Sequence, residues 1–421
     1  MRILTVTNLY PNPYQPQRAT FNRQQVLALT RDHEVAVIAP IFWTEELAAR
    51  RAGGPPLPTG RRLVWDGVPV EYPRYYYTPY CLRGWYGRFY RWSVGRAFRR
   101  AVADFRPDLV FATWAYPDGW AATGLARRAG LPTVLKVHGS DLHQLEQYPA
   151  RRRGTVEALR RADRVVTVSR DLARRVIELG TDPARVHVVY NGVDEQVFHP
   201  GDRGQARDRL GLDPRRPQLL YVGNLLPVKG PDVLIDACAR LAAAGRDFDL
   251  NVIGRGSSQE FLERQAAERG VLGRVRFHGV VAHDQLPDWF RAADMLVLPS
   301  RSEGVPNVLL EALACGTPFV ASNVGGIPEV ADLNASLLVP PGDPGRLSDA
   351  IDRMLTDIPS HPAEKRAGRS HADAARELAA VFEAALGRNT SGGDDTLFRP
   401  GLSRQRRPEP VGVEGGAQGA S

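Results

Sequence analysis

Cysteine is scarce in this 421-residue chain: Cys81, Cys238 and Cys315 are the three present, far apart in sequence. With no Cys-x-x-Cys pair and no histidines interleaved at metal-ligand spacing, they offer neither a disulfide framework nor a zinc site. A reducing, cytoplasmic setting is therefore expected, and no metal. Long apolar runs are missing too. No stretch approaches the roughly 18 residues that a membrane-spanning helix needs. The opening Met1-Arg2-Ile3-Leu4-Thr5-Val6 reads as a buried strand and not as the apolar core of an export signal. The segment Asn8 to Phe21 contains no glycine, which excludes a Gly-x-Gly-x-x-Gly turn there and disfavours a nicotinamide-dependent oxidoreductase. No nucleic-acid-binding module is recognisable, so nucleic acid is not an expected partner.

What is present points to two domains. The chain exceeds what one core organises, and its 43% apolar share can fill two. The formal net charge is +8, carried mostly by arginine in clusters such as Arg99-Arg100, Arg151-Arg152-Arg153 and Arg160-Arg161. Such a balance suits phosphorylated ligands or a membrane surface, although arginine clusters also arise as solvated helix faces. Short β-branched or leucine-rich runs alternate with helical patterns. In the first half they are Ile3 to Thr7, Glu34 to Ala39, Leu109 to Ala112, Thr133 to Val137 and Arg164 to Val168. In the second they are Gln218 to Val222, Asp249 to Ile253, Val275 to His278, Met295 to Leu298, Pro318 to Ala321 and Ser336 to Val339. This alternation predicts an α/β protein with two Rossmann-like domains facing a central cleft. The polar connector from about His199 to Pro217 sets the expected boundary: 1–198, then 199–370, with 371–388 crossing back to the first domain. From 389 to 421, few large apolar residues are available to offset ordering entropy, so a disordered tail is expected.

The chemistry concentrates in Pro299-Ser300-Arg301-Ser302-Glu303-Gly304-Val305-Pro306-Asn307-Val308-Leu309-Leu310-Glu311 and the Ala-Leu-Ala-Cys-Gly-Thr-Pro that follows. A strand precedes it, Pro306 suits a first helical turn, and Gly316 and Pro318 suit the far end, which predicts a helix from about Pro306 to Cys315. A helix start at the carboxyl end of a parallel strand offers free N–H groups and the positive end of its dipole to a phosphate. Gly304 allows close backbone approach. Asn307 and Glu311 share one helix face, and a carboxylate beside a phosphate is tolerable when it bonds ribose hydroxyls. Glu303, ahead of the helix, faces whatever lies beyond the phosphates.

With its two glutamates seven residues apart, this segment resembles the signature of glycosyltransferase family four, whose members have the GT-B fold. The resemblance implies that Glu311 bonds the donor ribose, that Glu303 contacts the donor sugar, and that Gly304, Val305, Pro306, Asn307 and Val308 hold the diphosphate. Ser322-Asn323-Val324-Gly325-Gly326-Ile327-Pro328-Glu329 is similar to the family's tight loop after the next strand. So is Tyr221-Val222-Gly223-Asn224-Leu225-Leu226-Pro227-Val228-Lys229-Gly230, in which Gly223 and Asn224 would line the donor and Lys229 would neutralise the leaving diphosphate. Many members carry arginine where this chain has Asn224; Arg255 or Arg301 would then complete the pair of cations. Leu135-Lys136-Val137-His138-Gly139-Ser140-Asp141 resembles the family's strand-end His-Gly-x-Asp, which implies that His138 faces the donor sugar from across the cleft. The loop from Thr7 to Phe21 resembles those of exopolysaccharide and teichuronic-type transferases, where a glycine common before the Thr-Phe pair is Ala19 here.

The expected activity is thus a retaining transfer of sugar from a nucleotide-diphosphate donor to a glycan or lipid-linked hydroxyl, with no cofactor beyond that co-substrate. Residues 72 to 92 interleave tyrosine and tryptophan with arginine. They suit peripheral contact with the inner face of a membrane, acceptor stacking, or cover for the first sheet. Two rivals remain open at this stage: a sugar-nucleotide 2-epimerase of the same architecture and a two-lobed sugar-binding protein without catalysis.

Overall fold

The computed structural model describes residues 1–142, 145, 148–332, 335–357 and 369–387. The tail expected from 389 to 421, and the end of the returning segment at 388, lie outside the described residues.

The strands are β1 (Arg2–Val6), β2 (Glu34–Ile38), β3 (Ile41–Phe42), β4 (Arg62–Trp65), β5 (Val68–Glu71), β6 (Arg74–Tyr75), β7 (Leu109–Ala112), β8 (Thr133–Val137), β9 (Arg164–Thr167) and β10 (Val186–Val188), then β11 (Gln218–Val222), β12 (Asp249–Ile253), β13 (Val275–Gly279), β14 (Met295–Leu298), β15 (Phe319–Ser322) and β16 (Ser336–Val339). They build an eight-stranded sheet ordered β10-β9-β8-β7-β1-β2-β5-β4 and a six-stranded sheet ordered β13-β12-β11-β14-β15-β16. Every pairing in them is parallel except β4 with β5. That hairpin, the β3–β6 pair and β10 were not anticipated, because their runs are short and polar on one face.

Both sheets are covered by helices: α1 (Thr20–Leu29), α2 (Trp43–Arg51), α3 (Tyr86–Asp104), α4 (Trp120–Ala129), α5 (Pro149–Arg161) and α6 (Arg170–Glu178), then α7 (Arg203–Leu210), α8 (Pro231–Ala243), α9 (Gln259–Glu268), α10 (Leu286–Ala292), α11 (Asn307–Ala314), α12 (Ile327–Val330), α13 (Pro344–Asp357) and α14 (His371–Ala385). The central strands are buried on both faces, which is why they read as continuous apolar runs such as Met295-Leu-Val-Leu and Leu109-Val-Phe-Ala. None of the described helices is long and apolar enough to cross a membrane.

One core fills the second sheet and two fill the faces of the first. Ala375, Leu378, Val381 and Phe382 of α14 belong to one face of the first sheet, with Phe382 edge-on to Phe111 at 5.2 Å. The chain therefore ends its described course against the half it began with. Gly192 makes the linker's passage possible: a Cβ there would sit 2.3 Å from the Ser370 carbonyl oxygen.

In each sheet the order reverses once, between β7 and β1 and between β11 and β14. Loops leaving the carboxyl ends of such neighbouring strands diverge and open a crevice, the usual ligand position in open α/β sheets. The loops at these two points are 7–19 and 113–119 in the first half, and 223–230 and 299–306 in the second.

Candidate active site

Helix α11 begins one residue later than its sequence suggests. Pro306 is the N-cap, with φ −70° and ψ 121°, and makes no side-chain cap. The proline thus directs the chain into the helix from outside it, and the first turn, opening with Asn307 and Val308, has no capping side chain. Leu309, Ala312 and Ala314 anchor the opposite face in the core, against which Val308 also packs.

Glu303 and Lys229 meet directly. The Lys229 ammonium donates to both carboxylate oxygens of Glu303, at 2.7 and 2.8 Å, and the Ser300 hydroxyl donates to one of them at 2.7 Å. The Glu303 side chain is 7% exposed and that of Lys229 25%, so the pair lies largely out of water with the lysine on the open side. A backbone-on-backbone contact holds it there: a Cβ on Gly230 would lie 2.1 Å from the Pro299 carbonyl oxygen.

Glu311 has a partner that the sequence does not advertise. His283 Nε2 lies 3.0 Å from its Oε1, and the imidazole packs on Phe198, ring centres 4.9 Å apart. The histidine fixes one carboxylate oxygen and leaves the other to accept from a diol. Contact between 28-residue-distant positions has no local pattern, so only the fold could reveal it.

The Asn224 neighbourhood separates the two arginines proposed to stand in for the missing one. Arg301 is occupied: its guanidinium binds both oxygens of Asp232 at 2.8 and 2.6 Å and also the Pro227 carbonyl, locking the 227–232 loop. Arg255 is exposed and pairs with no carboxylate among the described residues. Its carbonyl accepts from Leu225 N–H at 3.0 Å, and a Cβ on Gly254 would lie 1.9 Å from the Gly223 carbonyl oxygen. Arg255 and Asn224 thus sit on abutting loops, with Gly223 between them. Of the two arginines, Arg301 is thus held by Asp232, and Arg255 is the one with no carboxylate partner among the described residues.

Gly304 differs from its sequence reading. Its lost side chain makes room for protein and not only for ligand, because a Cβ there would lie 2.3 Å from the His138 carbonyl oxygen. The next residue, Val305, is buried in a core of the first sheet. Over them folds the 322–329 loop, where Gly326 N–H donates to the Gly304 carbonyl at 2.8 Å. The two halves touch here through backbone.

On the first-half wall, Asp141 is spent on structure: its buried carboxylate accepts from the N–H groups of His138, Gly139 and Ala115 at 3.0, 2.9 and 3.1 Å. That network fixes the loop carrying His138, whose ring sits between Phe21 and Trp114. Burial first, and the Lys136 charge second, push the imidazole well below its ordinary pKa, so it is neutral. Its Nε2 has no hydrogen-bond partner among the described residues. Neither do Thr5 Oγ1, Asn8 Oδ1, Asn22 Oδ1, Thr113 Oγ1 and one oxygen of Asp118, all on elements that converge on the same crevice. Burial holds the Asp118 carboxyl up at about 7, against hydrogen bonds from Tyr90 and the Asn8 N–H. Buried polar atoms rarely go unpaired without a ligand or water to meet them. The sequence reading named His138 but missed this row, since single threonines and asparagines scattered over β1, its following loop, α1 and the residue after β7 carry no motif.

Residues 72 to 92 divide between core and surface. Tyr72, Tyr75 and Tyr90 are buried core. Trp85, Arg88, Trp92, Arg96 and Arg99 are exposed and follow one another at three- and four-residue steps, as one outward stripe of α3 would.

Comparison with known proteins agrees with this architecture. Residues 19–197 match the model of Glycosyltransferase Family 4, and residues 202–371 that of Glycosyl transferases group 1. A D-inositol 3-phosphate glycosyltransferase of Frankia alni is 39% identical over 278 residues, covering 61% of this chain and 68% of that protein. A D-inositol 3-phosphate glycosyltransferase 1 of Catenulispora acidiphila is 36% identical over 314 residues, covering 68% and 74%. Among solved structures, Anabaena HepE in complex with UDP and glucose superposes with a TM-score of 0.71 at 21% identity, over 91% of this chain and 99% of that one. Sucrose-phosphate synthase from Thermosynechococcus elongatus gives 0.70 at 22%, over 92% and 97%. At such identities the structural likeness speaks for the fold.

Proposed function

The chain belongs to glycosyltransferase family 4, and from that premise we propose that it is a retaining hexosyltransferase drawing on a nucleotide-diphosphate sugar. Family membership removes the epimerase and the non-catalytic binding protein from consideration. The observation that carries the reading is the Lys229–Glu303 pair at the mouth of α11, with Glu311 one turn along it. The diphosphate lies against the N–H groups of Asn307 and Val308 and the loop from Gly304 to Pro306. Lys229 meets its charge, Glu303 and the neutral His138 hold the sugar hydroxyls from opposite walls, and Glu311, oriented by His283, takes the ribose.

The bond from the anomeric carbon to the diphosphate oxygen breaks, and the electron pair leaves with the nucleotide. The acceptor oxygen then bonds to the same face of that carbon, and its proton passes to the departing phosphate. Charge stabilisation of the leaving group supplies the acceleration. Arg255 is the second cation, reaching from the loop beside Asn224. UDP is the first base to test, because HepE was solved with UDP and with UDP-glucose.

The acceptor offers several hydroxyls, as a glycan or a lipid-linked sugar does. Support comes from the unpaired Thr5, Asn8, Asn22 and Thr113 atoms, which suit a polyol and not a hydrocarbon. The relatives' name adds a phosphorylated cyclitol to the acceptors worth testing. The outward Trp–Arg stripe of α3, beside a groove of about 1130 Å³ rich in arginine, suits peripheral contact with anionic lipid at the inner membrane face. Sedimentation with anionic but not neutral vesicles checks that part.

Incubation with UDP-, GDP- and ADP-sugars, with and without acceptors, tests the whole. The expected outcome is hydrolysis or transfer from one donor class with retention at the anomeric carbon, read by NMR. An inverted product would remove the mechanism, and no response to any nucleotide sugar would remove the reading.

A further inference from the structure

Arginine outnumbers lysine heavily in this chain, whose lysines are Lys136, Lys229 and Lys365. Lys136 is the odd one. It lies within β8, 3% exposed, and no carboxylate pairs with it among the described residues. The charges nearest it are of its own sign or neutral: Arg369 disfavours its protonation, and His138 and His371 feel its charge. Burial and Arg369 together bring its pKa down to about 7. A cation kept at such cost, where the same protein uses arginine almost everywhere else, calls for a task that needs a lysine.

Its contacts supply one. The ammonium donates to Gln25 Oε1 of α1 at 2.7 Å and to Asn191 Oδ1 of the interdomain linker at 2.9 Å. Asn191 in turn donates from Nδ2 to Asn307 Oδ1 at 2.8 Å, and Asn307 is the first residue of α11. In its protonated form the lysine has donors only, and the atoms that face it are oxygens. That requirement orients the Asn191 amide, which must then present its nitrogen to Asn307. Asn307 must answer with its oxygen, and its own Nδ2 is left as a donor with no partner among the described residues. Polarity set by a buried group of the first half is thereby transmitted, one amide at a time, to the anion-binding helix start of the second.

We propose that Lys136 is a positioning residue for the donor: acting through Asn191, it holds the Asn307 amide so that nitrogen, not oxygen, faces the diphosphate. Without it either amide is free to turn, and a turned Asn307 presents an oxygen to phosphate oxygens. A second strap supports the same arrangement. The Glu329 carboxylate, from the loop over Gly304, accepts from the N–H groups of Arg170 and Asp171 at the start of α6, both at 2.8 Å, and from the Tyr190 hydroxyl at 2.6 Å. Tyr190 adjoins Asn191, so the linker is tied to the donor elements at two consecutive residues.

The proposal rests on the donor reading above, and steady-state kinetics with the accepted nucleotide sugar tests it. K136M should raise the donor KM about tenfold, the effect of losing one charge-assisted hydrogen bond, with kcat little changed. Its thermal midpoint should equal or exceed that of the unaltered protein, because a desolvated charge has been removed. A purely structural lysine would show the reverse: a lower midpoint and an unaltered KM. K136M and N191A should be non-additive, the double variant losing no more than the worse single one, as members of one chain of contacts do. N191A alone carries the test should K136M not fold. An unchanged donor KM in these variants, or losses that multiply in the double, overturns the proposal while leaving the donor reading intact. Absence of turnover in the unaltered protein removes both.

Discussion

The two walls of the cleft are built on opposite principles. On the second-half wall, Arg255 apart, the polar groups around the helix start are already held by partners: Lys229 by Glu303, Glu311 by His283, Arg301 by Asp232. On the first-half wall polar atoms wait unpaired, from Thr5 and Asn8 to Thr113 and His138, and a lysine is buried among amides. The difference fits the partners we propose for each wall. A nucleotide diphosphate brings strong, fixed charge, and a wall that meets it must be held stiff in advance or spend binding energy reorganising. A hydroxyl-rich acceptor brings weak donors and acceptors, and buried atoms left open meet them one by one.

The comparison can be broken most decisively at its most charged point. K229A removes the cation we place against the leaving group and strands the buried Glu303 carboxylate, so kcat/KM should fall by about 10²–10³. Retained activity would mean that the paired wall is scaffold and not machinery. R255A should raise the donor KM about tenfold, and adding N224R should restore it by returning a cation to the neighbouring loop. Failure of that rescue would make Arg255 a bystander.

The first-half wall should declare itself in stability against pH. Asp118, held up at about 7 from 3.8, keeps its proton in the folded state where the unfolded chain has released it. Its contribution therefore falls as pH rises from about 4 to 7. Lys136, brought down to about 7 from 10.5, binds fewer protons folded than unfolded between those values, so its contribution grows as pH rises through them. Together they put a minimum near pH 7. In a series of thermal midpoints, D118N should flatten the descending side and K136M the ascending one. A flat profile in the unaltered protein would show that this wall holds no strained charge.

The smallest expected effect lies at the entrance loop. Ala19 takes φ 47° and ψ 51° ahead of α1, a left-handed conformation that costs a residue with a Cβ about 1 kcal/mol. A19G should recover that amount in denaturant melts, and no gain would mean that the loop relaxes elsewhere.

Legibility in the sequence followed the same division. The segment from Pro299 to Pro318 was readable because its chemistry is local: strand, glycine, proline-led helix and two glutamates fall within one short stretch. Central strands were readable because burial on both faces leaves unbroken apolar runs. The β4–β5 hairpin was not, its exposed residues breaking any run, and α3 was hidden because aromatics serve its core face and its outer stripe alike. Asn224 could be read as a departure from the family, but not which arginine answers it, since the choice depends on Asp232 holding Arg301.

By itself, then, the sequence determined the α/β class, the two sheets, the family and the position of the proline-led helix start after β14, because each is written in periodicity or in neighbouring residues. Only the tertiary structure decided that Glu303 is held by Lys229, that His283 steadies Glu311, that Gly304 is small to admit the His138 carbonyl, and that Lys136 reaches Asn307 through Asn191. These are contacts between groups 28 or more residues apart, or across the cleft. Their partners are chosen by where the backbone carries them, and no spacing along the chain records that.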